Sequence, residues 1–177
     1  MKNLIRDFDT RFFYFWRRHS FSPKVNNFLR FYTRLGDGYV WVLVVACIYF
    51  FHGKDALFST VKQVIPVILI SLALYWVLKL SIRRKRPFDL LKGVNADVPP
   101  LDKYSFPSGH VMNNLAVGFT ILAKFPQIGW IVVFMPITWG FLRVYYGVHW
   151  LSDILGGLLL GFLSFWLGQV VFGLFFQ

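Results

Sequence analysis

Three short clusters carry most of the chemistry available to this chain. The first is Lys79 with Arg86-Pro87, the second Pro107-Ser108-Gly109-His110, the third Arg143 with His149 and Asp153. Written as spacings they are K-x6-RP, PSGH and R-x5-H-x3-D. Together they supply fixed cations, two imidazoles, a carboxylate and a turn that opens a helix. A phosphate ester is a dense anion whose transition state spreads charge over its equatorial oxygens. Fixed cations and backbone N–H groups stabilise that charge. Lys79, Arg86 and Arg143 suit the role, the arginines through their planar fork of donors. Ser108 and Gly109 open a helix, so their N–H groups point outward as an anion site strengthened by the helix dipole.

His149 and Asp153 are four residues apart and share one helical face. A carboxylate there holds one imidazole nitrogen as N–H and frees the other to attack phosphorus. His110, across the site, is placed to protonate the leaving oxygen. The remaining histidines, His19 and His52, lie apart from the clusters and are assigned structural roles.

In this order and spacing, the clusters resemble the type 2 phosphatidate phosphatase superfamily, which also contains glucose-6-phosphatases and vanadium haloperoxidases. The resemblance covers residues 79–153. It implies His149 as a nucleophile forming a phosphohistidine, Asp153 as its orienting group and His110 as acid. Lys79, Arg86, Ser108, Gly109 and Arg143 would hold the phosphate, and water would hydrolyse the intermediate. No metal or other cofactor is implied, since three cations stand in its place. One departure is Leu142, where the family usually has Ser. It removes a possible hydroxyl contact and none of the ionisable groups.

The elements that must position these groups are membrane helices. The 177 residues are 56% hydrophobic, 20% aromatic and only 15% charged, against about 25% charged in a typical soluble domain. A spanning helix needs about 20 mostly apolar residues. Five segments qualify, at 39–53, 61–82, 109–124, 127–146 and 151–176. The predicted fold is therefore all-α: an integral membrane bundle of about five transmembrane helices over 38–177. Residues 1–37 are predicted to form interfacial amphipathic helices. Leu4, Ile5, Phe8, Phe12 and Trp16 share one face of the first; the alternative, a sixth span, would bury Arg and Asp at high cost. Ser22-Pro23 reads as the cap and first residue of a second helix, with Val25, Phe28, Leu29, Tyr32 and Leu35 as its apolar face. Gly36-Asp37-Gly38 would end it. Asn113 and Asn114 place the 109–124 helix inside the bundle, and Gly157 and Gly161 allow close helix contact. Tyr145, Tyr146 and Trp150 read as an interfacial aromatic belt. No cleaved signal peptide is evident, and Cys47 stands alone.

With five spans, all three clusters fall on one side of the membrane, together with the N-terminus. The formal net charge is +11, and every acidic residue is Asp. All Lys and Arg except Lys54, Lys62 and Lys124 fall on the cluster side. The positive-inside rule puts that side in the cytoplasm, whereas bacterial members of the resembled family face the periplasm. The family orientation is the one adopted here, in an inner membrane. The basic surplus either contacts anionic lipid headgroups or flanks helices for topology. Arg83, Arg84, Lys85, Lys92 and Lys103 either meet the headgroup or anchor their loop. Nucleic acid is a poor partner, since no recognition motif appears, and oligomeric state is not legible.

The leading function is a membrane lipid phosphatase whose substrate enters sideways from the leaflet. Candidates implied by the resemblance are lipid A 1-phosphate first, then undecaprenyl diphosphate, phosphatidylglycerol phosphate and phosphatidate. Two other classes compete. A vanadium-haloperoxidase-like oxidoreductase would use the same cradle, but those relatives are soluble. A non-catalytic lipid-binding or transport protein would tolerate loss of the nucleophile, and here the catalytic groups are all retained.

Overall fold

The computed structural model describes residues 2–176. Its helices run in order α1 (Lys2–Arg17), α2 (Pro23–Arg34), a 3₁₀ turn (Leu35–Asp37), α3 (Tyr39–Ile82), α4 (Pro87–Leu90), α5 (Gly109–Lys124), α6 (Pro126–Tyr145) and α7 (Leu151–Phe176). Among the described residues there is no strand, in keeping with the all-α expectation. Three helical stretches there are long and apolar enough to cross a membrane: Tyr39–Leu90, Pro126–Tyr145 and Leu151–Phe176. Their outer faces expose Val42, Phe50, Leu69, Leu159 and Leu174, a surface suited to lipid.

α3 is two limbs. Gly53 has φ 84° and ψ 174°, a backbone state that breaks helical pairing and strains any side chain with a Cβ. An unbroken helix of 44 residues would be about 66 Å long. Instead Gly38 at one end and Tyr75 near the other line the same cavity, so the chain reverses at Gly53. The spans predicted at 39–53 and 61–82 thus meet directly, and residues 54–60, left between them, are helical.

α5 is the central helix, packed by α3, α6 and α7. Val111, Met112 and Ala116 are fully buried, and its two asparagines find partners inside the bundle. Trp41 Nε1 donates to Asn114 Oδ1 at 2.8 Å, and Ser71 Oγ donates to Asn113 Oδ1 at 2.7 Å. α7 approaches closely through its small residues: a Cβ on Gly161 would stand 2.8 Å from the Met112 carbonyl oxygen.

The N-terminal helices lie against the bundle at the cluster end. Ser22 Oγ accepts from Val25 N, and Pro23 opens α2. The apolar stripe predicted for α1 divides along its length. Phe12 and Trp16 pack on the core, with Trp16 Nε1 donating to the Phe141 carbonyl at 2.9 Å. Leu4, Ile5 and Phe8 stay exposed. The most buried positions of α1 are the neighbouring pair Asp9 and Phe13. The predicted aromatic belt also needs correction, because Tyr146 and Trp150 are buried. Each has its polar tip satisfied by protein, Tyr146 by Asn26 and Trp150 by the Lys85 carbonyl, so neither needs the interface.

Candidate active site

The helix ends at 79, 109, 143 and 151 bring the three clusters to one place. Lys79, Arg86, Ser108, His110, Arg143, His149 and Asp153 are all buried. A cavity of about 550 Å³ ends among Arg86, Gly109, His110, Arg143 and His149. Away from them it runs between the limbs of α3 along Val44, Ile48, Leu57, Val61, Ile65 and Leu72. One end is polar and cationic, the other apolar.

Lys79 and Arg86 converge on a carboxylate that sequence reasoning did not single out. Asp102 Oδ1 accepts from Lys79 Nζ at 2.7 Å, Arg86 NH2 at 2.9 Å and Tyr104 N at 3.1 Å. Tyr75 donates its hydroxyl to the other oxygen. Burial pushes the Asp102 carboxyl up, but hydrogen bonds from Lys79 and Tyr75 and the charges of Lys79 and Arg86 leave it below its ordinary value. The contact shows in geometry that these cations grip an oxyanion. Arg86 also donates to the Val148, Asp102 and Tyr104 carbonyls, which fix the guanidinium in place.

Several polar atoms of the clusters are buried with no aligned hydrogen-bond partner: Ser108 Oγ, Arg86 Nε, Arg143 Nε, His149 Nδ1 and His110 Nε2. One expectation is corrected. The Ser108 N–H does not face outward as an anion donor, because it donates to the Asp153 carbonyl at 3.2 Å. What Ser108 leaves available is its hydroxyl. Gly109, first residue of α5, keeps an N–H without an intrahelical partner.

His149 sits in the turn between α6 and α7, its Nε2 3.5 Å from Arg86 NH1. Its Nδ1 is 3.5 Å from Asp153 Oδ2, ion-pair range but longer than a hydrogen bond. Asp153 is otherwise held by Arg84 at 2.7 Å, by Trp150 N at 2.7 Å and by the Ser105 hydroxyl. Burial first, then the charges of Arg86, Arg143 and Lys79, push the His149 imidazole well below its ordinary pKa. It is therefore neutral near pH 7, the form a nucleophile needs.

Behind Asp153 stands a further carboxylate. Arg84 bridges Asp153 to Asp9 of α1, at 2.7 and 2.5 Å, and Asp9 also accepts from Ser152 N at 2.9 Å at the start of α7. Of the loop cations, Arg84 turns inward while Arg83, Lys85, Lys92 and Lys103 are exposed. His19 and His52 lie outside the site, packed at a tilt against Trp16 and Phe125 respectively. The missed residues, Asp9, Asp37, Asp102, Tyr75 and Ser105, had one cue. It applies to Asp102 alone: in so basic a chain, a carboxylate lying between two cation clusters is scarce enough to suspect as their partner.

Known proteins resemble this chain in sequence and in fold. The sequence pattern of the PAP2 superfamily matches residues 60–175, and the chain belongs to that family. An undecaprenyl-diphosphatase of Sulfolobus acidocaldarius is 30% identical over 140 residues, which are 77% of this chain and 66% of that protein. Among solved structures, LpxE of Aquifex aeolicus superposes with a TM-score of 0.75 at 25% identity, over 91% of this chain and 94% of its own. A transmembrane PAP2-type phosphatidylglycerolphosphate phosphatase from Bacillus subtilis gives 0.69 at 24% identity, over 99% and 90%. The chain spans between 39% and 66% of the length of the curated relatives it matches. With its long apolar helices, it is a multi-pass membrane protein.

Proposed function

We propose that the protein is a metal-independent lipid phosphatase that transfers phosphate from a lipid headgroup to His149 and then to water. The observation that carries this reading is the group of buried, unpartnered polar atoms on Ser108, Arg86 and Arg143. A buried polar group without a partner costs about 1–3 kcal/mol. Several held together beside a neutral imidazole favour an oxyanion ligand.

In the first step His149 Nε2 forms a bond to phosphorus while the bond from phosphorus to the leaving oxygen breaks. His110 gives that oxygen its proton. In the second, water attacks phosphorus and yields a proton to His110, and the N–P bond breaks to release phosphate. Lys79, Arg86, Arg143, Ser108 and Gly109 hold the equatorial oxygens, and Asp153 orients the nucleophile. Asp102 must yield Lys79 and Arg86, at least in part, when a phosphate arrives.

The apolar end of the cavity fits a lipid tail lying between the α3 limbs. The two limbs with α5, α6 and α7 make five passes, with the site on the periplasmic face of an inner membrane. Undecaprenyl diphosphate is the first candidate substrate, because the Sulfolobus acidocaldarius relative is named for it, and lipid A 1-phosphate is the second. Phosphatidylglycerol phosphate and phosphatidate follow. The test is phosphate release from these lipids by purified protein in detergent with EDTA present. Turnover that persists in EDTA and falls with millimolar vanadate is expected. No release from any lipid, or loss in EDTA reversed by a divalent ion, would overturn the reading.

A further inference from the structure

The turn Gly36-Asp37-Gly38 is wrapped around His110. Asp37 Oδ1 lies 2.8 Å from His110 Nε2, within hydrogen-bond distance but off the N–H axis. Gly36 packs on the same ring: a Cβ there would stand 2.7 Å from His110 Cδ2 and 2.8 Å from Trp139. The turn is anchored to α5 itself, because Asn114 Nδ2 donates to the Gly36 carbonyl at 2.9 Å and to the His110 carbonyl at 2.9 Å. Asp37 lines the cavity together with His110 and His149. It also lies outside residues 60–175, the stretch matched by the family pattern.

We propose that Asp37 is the positioning residue of the general acid, accepting the His110 Nε2–H so that Nδ1 delivers the proton to the leaving oxygen. The site then holds two imidazole–carboxylate pairs with opposite tasks. Asp153 serves the nucleophile, and Asp37 serves the acid. The inference rests on the proposed phosphatase reading.

The electrostatics agree. The close approach of the His110 Nε2 is the main cause that holds the Asp37 carboxyl below its ordinary value; burial opposes it, and the charges of His110, Arg143 and Arg34 assist. Asp37 is thus ionised at neutral pH. The other charges facing His110 are Arg143 from α6 and Arg86 at the start of α4. His149 also faces it and is neutral. Asp37 is then the counter-charge that favours imidazolium, and an opposite charge at such range moves a pKa by about 1–3 units.

The test uses Asp37→Asn, which keeps shape and removes charge. A general acid works only while protonated, so activity falls as pH rises through its pKa. Removing Asp37 lowers that pKa, and the alkaline limb should move down by about one unit or more. Hydrolysis of a lipid phosphomonoester at pH 8 should drop about tenfold or more, while p-nitrophenyl phosphate, with its good leaving group, changes little. Equal losses on both substrates with an unmoved limb would overturn the proposal. Phosphate release by the unmodified protein decides the phosphatase reading separately. Independently of substrate and of variant folding, ¹⁵N NMR of the unmodified protein, with signals assigned through His110→Ala, should show neutral His110 protonated on Nε2. A His110 protonated on Nδ1 would overturn it.

Discussion

His149 and His110 line one cavity, yet they are held in opposite ways. His149 is completely enclosed, faces three cations and lies 3.5 Å from a carboxylate already engaged by Arg84, Trp150 and Ser105. His110 has a carboxylate of its own, Asp37, at 2.8 Å. The same side chain becomes a neutral nucleophile in one setting and a proton donor in the other. What separates the two rings is the partner each is given, a close carboxylate for His110 and three cations for His149, and divided acid and base work rests on such differences of surroundings.

The largest effect that could break this division is His149→Ala. It should abolish turnover of every substrate, by on the order of 10⁴-fold or more, measured as phosphate release from both good and poor leaving groups. Next comes His110→Ala. Loss of a general acid should cost about 10²- to 10⁴-fold on a lipid phosphomonoester and much less on p-nitrophenyl phosphate. Equal losses would make His110 a phosphate ligand and dissolve the contrast between the two rings.

The contrast also sets a pH prediction. The nucleophile must be unprotonated, so activity is lost as pH falls through its pKa. Because the His149 pKa is lowered well below 6.5, the acid limb of kcat/KM should fall well below that pH. A limb near 6.5 would mean that His149 is solvated and not enclosed. The smallest effect concerns the anchor behind His110. Asn114→Ala frees the Gly36 turn and leaves Trp41 Nε1 without its acceptor, so it should cost about 1–3 kcal/mol of stability, read as a lowered Tm. Turnover of p-nitrophenyl phosphate should be retained.

How legible each ring's setting was in the sequence follows from distance along the chain. His149 and Asp153 are four residues apart and PSGH is contiguous, so short spacing made them legible, although His149 lies in the turn before α7 and not on its face. Asp9 on α1, Asp37 in the 3₁₀ turn and Asp102 in the loop before α5 reach their partners only through tertiary packing, and no local pattern encodes that. The same limit explains the other misses. Tyr146 and Trp150 look interfacial by type, but the folded N-terminal helix and the 83–106 loop cover them. The Ser108 N–H looks free at a helix start until α7 presents the Asp153 carbonyl to it. The gap assumed between the first two spans closed because a single glycine can reverse the chain. The basic surplus on the cluster side is also partly internal, since Arg17, Lys79, Arg84 and Arg86 are each paired with an Asp.

The central claim is that phosphate passes through His149 Nε2. The direct measurement is rapid mixing of the protein with a ³²P-labelled lipid phosphate or diphosphate, quenching in alkali, and mapping of the labelled peptide. The account predicts an acid-labile, alkali-stable label on the peptide containing His149. The label should be absent in His149→Ala. Sustained phosphate release with no labelled peptide, under conditions that trap a known phosphohistidine, would contradict it and point to direct attack by water.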